Sequence, residues 1–267
     1  MKVKLLTHAV NHEARHRYHE LNTITGTSSL VTRYLPRVAL RARSEYPYSF
    51  REDDAFYPAQ GQGFGRVIRA SRSEGLSAIH EQISEKDKEH AWTFVPEAGL
   101  WVDTALSAGE HDVNPDRDLE VYLSHLFPEV LHAHTHPDKV LEACAQNYPW
   151  AFSQNYLVEG AIPSVDDVMG SFQMAARSAS GCKINNGVVS HYGLTTYAPV
   201  QLLERNGCLR DTAPSKIVHP FIDPITAIRG ALQMRHHRVV MDPMIDGIPP
   251  KPAYTFDFEP LGSYSGR

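Results

Sequence analysis

The chain has 267 residues, 42% of them hydrophobic, which suffices for one large domain with a buried core and extensions. Its formal net charge of -5 supplies no basic field for gripping phosphates, which argues against a nucleic-acid partner. No apolar run approaches the about 18 residues of a membrane span, and three cysteines (Cys144, Cys182, Cys208) without a CxxC spacing argue against a disulfide framework or a Cys-zinc site.

The opening stretch turns polar after Leu6 and lacks the apolar block of a secretory signal, so a soluble, cytoplasmic protein is expected. His8, His12, His16 and His19 recur there at helical spacing, but spacing fixes no carboxylate beside them, and a solvated or pH-sensitive helix is the simpler reading. Arginine clusters at 33–43 and 66–72 read as solvated faces, with an acidic partner surface as the alternative. Residues 1–70 are taken as an N-terminal extension. Next, Leu76, Ile79 and Ile83 lie at helical spacing behind Ser73, predicting an amphipathic helix over 73–88. "HAWTFVPEAGLWVDTALSAG" reads as two β segments around the turn at Pro96–Gly99, and "PEVLHAHTH" as another strand. A helix from Ser164 directs Val168, Phe172 and Met174 to a core, and "GVVSHYGLTTY" is a further strand or strand pair. This alternation indicates an α/β domain over 71–205. In the C-terminal extension, 206–267, a short helix is expected at 223–237, followed by a proline-rich arm lying on the domain or flexible.

Chemistry concentrates at "VLHAHTHPDK". On a strand, His132, His134 and His136 would share one face, and neutral imidazoles at i and i+2 can converge on a metal such as zinc. With 15 histidines in the chain, chance pairs are common, and HxH alone decides little. Further on, Ser164 precedes an apolar run with Asp167 three residues later and Asp166 beside it. That pattern is a helix-capping arrangement, and a capped helix end is also a rigid platform for a ligating carboxylate.

Together, His134-Thr135-His136-Pro137 and Pro163-Ser164-Val165-Asp166-Asp167 resemble the signature of the JAMM, or MPN-plus, family of zinc metallopeptidases, over roughly half the chain. The resemblance implies a JAMM/MPN (cytidine-deaminase-like) α/β core, a mixed curved sheet flanked by helices. It implies one Zn2+ held by His134, His136 and Asp167, with Ser164 stabilising an oxyanion and His132 left as a core or supporting histidine. The family's glutamate falls on Glu89, between the first helix and the strand from His90; Glu85 and Glu97 are rivals, on the helix and in the turn. The departure is spacing: residues 137–163 form a far longer connection than the family's motif usually has. Its segment 138–162 is an insertion carrying Tyr148, Trp150, Phe152 and Tyr156, expected either to fold as a short helix over the cleft or to pack on itself at the surface.

By the same resemblance, Glu89 would act as general base and then acid in hydrolysis of a peptide or isopeptide bond, with a ubiquitin-like conjugate or precursor as partner. The competing readings are an MPN-type scaffold without activity and a JAMM-type toxin or effector peptidase. An amidohydrolase barrel, which also carries HxH on a strand, fits poorly because too little chain follows His136 to complete eight strands.

Overall fold

The computed structural model describes residues 51–57, 66–108, 113–149, 155–178, 181–199, 209–211, 223–241 and 254–262. In chain order, β1 (Arg51–Glu52) and β2 (Arg66–Arg69) lead into α1 (Arg72–Glu81) and a 3-10 turn (Ile83–Glu85). β3 (Ala91–Val95), β4 (Leu100–Asp103), β5 (Ala105–Ala108) and β6 (Val113–Pro115) follow, then α2 (Arg117–Leu126) and β7 (Glu129–Thr135). Three helices, α3 (Asp138–Asn147), α4 (Tyr156–Gly160) and α5 (Val165–Arg177), precede β8 (Lys183–Ser190) and β9 (Gly193–Pro199). Last come β10 (Leu209–Asp211), α6 (Pro224–Arg238), β11 (Val239–Met241) and β12 (Tyr254–Pro260).

Eight strands form one mixed sheet in the order β1, β2, β4, β3, β7, β8, β9, β12, while β5/β6 and β10/β11 are separate pairs. β7 and β8 run parallel, so the chain must cross over between them, and α3, α4 and α5 make that connection. Alternation along the strands sends two sets of apolar residues to opposite faces. On one face Trp92, Phe94, Trp101, Leu131 and Val189 receive Leu76 and Ile79 of α1. Here Gly75 is required: a Cβ on it would lie 2.1 Å from the Trp101 indole nitrogen. On the other face Val67, Val95, Leu100, Val102 and Val130 receive Leu119, Tyr122 and Leu123 of α2. Val188, Tyr197 and Tyr254 receive Val168 of α5 there.

Several sequence expectations are met and several are corrected. The β3–β4 turn is at Pro96–Gly99, with Gly99 at φ 61°, a left-handed conformation that glycine adopts without steric cost. The cap of the first helix lies two residues before the predicted one, because Ser71 and Glu74 form a reciprocal capping box; the helix stops at Glu81, and Ile83 is buried from the 3-10 turn. The segment around Ala105 is a further strand, not the end of the second one. Arg66, read as part of a solvated cluster, is 1% exposed, paired with Asp53 at 3.3 Å and stacked over Trp92. α2 is a helix that the pattern reading omits. The expected C-terminal arm is in part a sheet strand: Tyr254 and Phe258 are buried, Thr255 and Asp257 exposed, and β12 pairs with β9 along its whole length. The sheet therefore draws strands from both stretches outside 71–205. The histidine series at 8–19 and the arginines at 33–43 lie outside the described residues.

Candidate metal centre

Two rows of side chains cross the sheet on the face that α5 covers. The register pairs Ala91 with His134, His134 with Val188, and Val188 with Thr195. The row two residues along is Thr93, His132, Asn186 and Tyr197. His134 and His132 thus share a face, as strand alternation requires. β7 ends at Thr135, yet the His136 backbone N–H still donates to Val189 O at 2.9 Å, which carries the chain on past the strand end.

α5 delivers the carboxylate. Ser164 is its cap: the Ser164 hydroxyl accepts from the Asp167 N–H at 3.1 Å, and the Ser164 N–H donates to Asp167 Oδ2 at 2.7 Å. This reciprocal box satisfies two N–H groups at the helix start and fixes the Asp167 rotamer. The other oxygen, Oδ1, is 3.0 Å from His134 Nε2. His136 Nε2 lies 3.1 Å from His134 Nε2 and 3.8 Å from Asp167 Oδ2. The capping reading of Ser-x-x-Asp is therefore met, and the same carboxylate stands beside two histidines in a group that could hold a metal ion.

These distances fit a metal. Donors about 2.0–2.1 Å from a tetrahedral zinc sit about 3.3 Å from one another, and the pairs here lie 3.0 to 3.8 Å apart, Asp167 facing His134 through Oδ1 and His136 through Oδ2. His134, His136 and Asp167 are the one group of three or more His, Cys, Asp or Glu residues among the described residues whose donor atoms converge in this way, all within 4.8 Å. Two nitrogens and one carboxylate oxygen suit a borderline ion such as zinc. Burial pushes the Asp167 carboxyl upward, but the charges of His134 and His136 and the bonds from His134 and Ser164 outweigh it and hold the group well below the usual aspartate range. A carboxylate that stays ionised through neutrality and below is the consequence.

Glu89 is half-buried, two residues before β3. The Thr135 N–H donates to His90 O at 2.9 Å, so the pairing of β3 with β7 reaches the residue next to Glu89. The negative charge of Glu89 also reaches the Cys144 thiol on α3, whose pKa is raised by burial first and Glu89 second. Of the rival carboxylates, Glu85 is exposed in the 3-10 turn and Glu97 exposed in the β3–β4 turn.

His132 does not join the ligand group. It is 4% exposed, its Nδ1 is 2.9 Å from Thr93 Oγ1, and Nε2 has no partner among the described residues. Burial lowers its pKa, against the opposing charge of Glu120, whose Oε1 is 3.9 Å from Nδ1. Glu120 is itself buried and bound by Arg117 at 2.9 Å. The sequence reading missed this α2 contribution, although Leu119, Tyr122, Leu123 and Leu126 behind the Asp116 cap carry a helical period. Two other groups beside the centre went unforeseen. One is the Gly160 carbonyl, 2.7 Å from His136 Nδ1. The other is the Asp138–His191 pair at 2.8 Å, which ties the start of α3 to the β8–β9 turn. Of the insertion, 138–147 and 156–160 are helical, Tyr148 is 44% exposed, and Trp150 and Phe152 lie outside the described residues.

No family model, no curated protein and no solved structure matches this chain. The fold itself supports the class of mixed α/β proteins with a helix-flanked sheet, and the site a possible His-His-Asp metal centre. No helix among the described residues is long and apolar enough to cross a membrane.

Proposed function

We propose that the protein is a zinc-dependent peptidase of the JAMM type, hydrolysing a peptide or isopeptide bond of a ubiquitin-like conjugate or precursor. The observation that carries this reading is the convergence of His134 Nε2, His136 Nε2 and Asp167, with Asp167 presented by a Ser164 capping box. His134, His136 and Asp167 would hold the zinc, which would supply Lewis acidity toward water and the scissile carbonyl.

The chain's own groups do the rest. The Glu89 carboxylate, two residues before β3, accepts a proton from the attacking water and returns it to the leaving amine nitrogen. The Ser164 oxygen accepts from the Asp167 N–H, so its hydroxyl proton is left to donate to the oxyanion of the tetrahedral intermediate. No thiol is needed: burial and nearby carboxylates raise the pKa of Cys144 and push that of Cys182 up to about 11. The Asp167 pair with His134 at 3.0 Å also suits a metal-free ion pair, which favours the inactive scaffold as the second reading.

The test is metal analysis of the purified full chain together with cleavage of a ubiquitin-like fusion and an isopeptide-linked dimer. About one zinc per chain and chelator-sensitive cleavage are expected. Glu89→Gln should keep the zinc and lose most turnover, and a wild-type rate in that variant removes Glu89 from the role. A chain without zinc overturns the reading in favour of the scaffold, as does a zinc-loaded chain that cleaves neither substrate.

A further inference from the structure

His136 lies one residue beyond the end of β7; its backbone N–H is tied to Val189 O, and its ring is held by another element. What fixes it is the insertion. The ring Nδ1 is 2.7 Å from the carbonyl oxygen of Gly160, the last residue of α4. A carbonyl can only accept, so the proton is held on Nδ1 and the lone pair on Nε2. Nε2 is the atom that faces His134 and Asp167.

α4 is wedged in turn. A Cβ on Gly160 would lie 2.2 Å from one Leu141 methyl and 2.6 Å from the other, so α3 packs directly on the glycine backbone. The next carbonyl, of Ala161, accepts from Thr195 Oγ1 on β9 at 2.5 Å. Behind them, Val158 and Ala161 pack into one buried cluster with Ala227, Ile228 and Leu232 of α6 and Phe258 of β12. A short helix of five residues has little stability of its own and takes its position from these contacts.

We infer that α4, wedged between α3 and the α6–β12 segment, is the positioning element of His136: through the Gly160 carbonyl it sets the tautomer and aim of the imidazole, and so the affinity of the site for zinc. The consequence for affinity rests on the metal reading above; the tautomer does not. The insertion and the C-terminal segment thereby acquire a role at the centre, as supports of one ligand.

The experiment uses the full chain labelled with 15N. In the metal-free protein the ring nitrogen shifts should report His136 in the Nδ1–H form, and Gly160→Ala, which collides with Leu141, should move it toward the Nε2–H form or a mixture. Zinc affinity, read by competition with a chromophoric chelator, should fall about 10–100-fold in Gly160→Ala. Adding Leu141→Ala, which removes the colliding methyls, should restore most of the affinity while the melting temperature stays below wild type. An Nε2–H tautomer in the wild type overturns the inference, and so does a Gly160→Ala chain with unchanged zinc affinity, or an affinity that simply follows melting temperature across the variants. Zinc failing to bind a wild type in the Nδ1–H form instead sinks the metal reading and the affinity consequence with it. The wild-type tautomer needs no variant, so a Gly160→Ala chain that does not fold still leaves the inference open to refutation.

Discussion

Replacing Asp167 by Asn separates the two duties of its carboxylate. Oδ2 accepts from the Ser164 N–H at 2.7 Å, a duty the amide oxygen can keep, whereas Oδ1 faces His134 at 3.0 Å, a duty that needs the charge. In the metal-free chain the variant loses a charge-assisted contact on a side chain 17% exposed, worth about 1–2 kcal/mol. For a protein of this size that lowers the melting temperature by about 2–8 °C. Because Asp167 is held below its ordinary value of 3.8, this contribution is complete above that value and is lost as pH falls toward the folded-state pKa. The gap between wild type and variant should be level from neutrality to about pH 5 and shrink below it. Zinc then discriminates. At a free concentration 100 times its Kd, it stabilises the wild type by about 2.7 kcal/mol, a rise of about 5–11 °C. With one of three protein ligands replaced by a carboxamide and affinity down about 100-fold, the same zinc gives about 0.4 kcal/mol, or about 1–2 °C. The assay is thermal unfolding with chelator and with buffered zinc. A full wild-type rise in Asp167→Asn would refute the assignment of this carboxylate to the metal.

Three further outcomes follow from the surroundings of the site. His132→Gln should keep about one zinc per chain, measured by metal analysis, while losing about 1–3 kcal/mol of stability with the Thr93 contact; loss of the metal would make His132 a ligand after all. Asp138→Asn removes the negative charge beside His191, whose pKa is raised above 6.5 by its hydrogen bond to Asp138, with burial opposing. A raised histidine pKa stabilises most below its unfolded value, so the melting deficit of that variant should be present at about pH 5.5 and vanish as pH rises through the folded pKa. With His191 37% exposed, solvent screening keeps the deficit within about 1 kcal/mol, and a deficit that grows toward alkaline pH contradicts the pairing. Gly75→Ala forces a methyl into the Trp101 indole and should cost about 1–3 kcal/mol in chemical denaturation, with no change in zinc content.

The legible parts of the fold are those where one local signal suffices. Strand β7, the β3–β4 hairpin and the cap at Ser164 follow from alternation, a Pro–Gly-bounded turn and a hydroxyl three residues before a carboxylate. Where two signals compete, the reading slips. At the first helix the expected cap Ser73 gives way to Ser71, because Glu74 answers Ser71 across the first turn. At the C-terminus, prolines at 249, 250 and 252 suggest an arm, yet the alternation of Tyr254, Phe256 and Phe258 just after them is strand-like and finds an open edge on β9. A sequence does not announce that edge, since β9 is left with a free side only by the order in which six other strands assemble.

At the site, the residues that can be read are those whose side-chain identity is the signal: two histidines, a serine, an aspartate. What holds them in aim is partly backbone, and a carbonyl carries no identity in the sequence. Gly160 could be noticed as a glycine, but nothing local says that its oxygen meets His136 from 24 residues away, or that Leu141 needs the space where its Cβ would be. The long connection after Pro137 is a departure from the motif if only spacing is considered. In the folded chain it returns at Gly160 to the ring it left at His136, and it is kept there by α6 and β12, the elements furthest along the chain. A longer loop costs little extra closure entropy, so a centre of this kind can recruit supports from distant segments once the sheet has brought their anchors together.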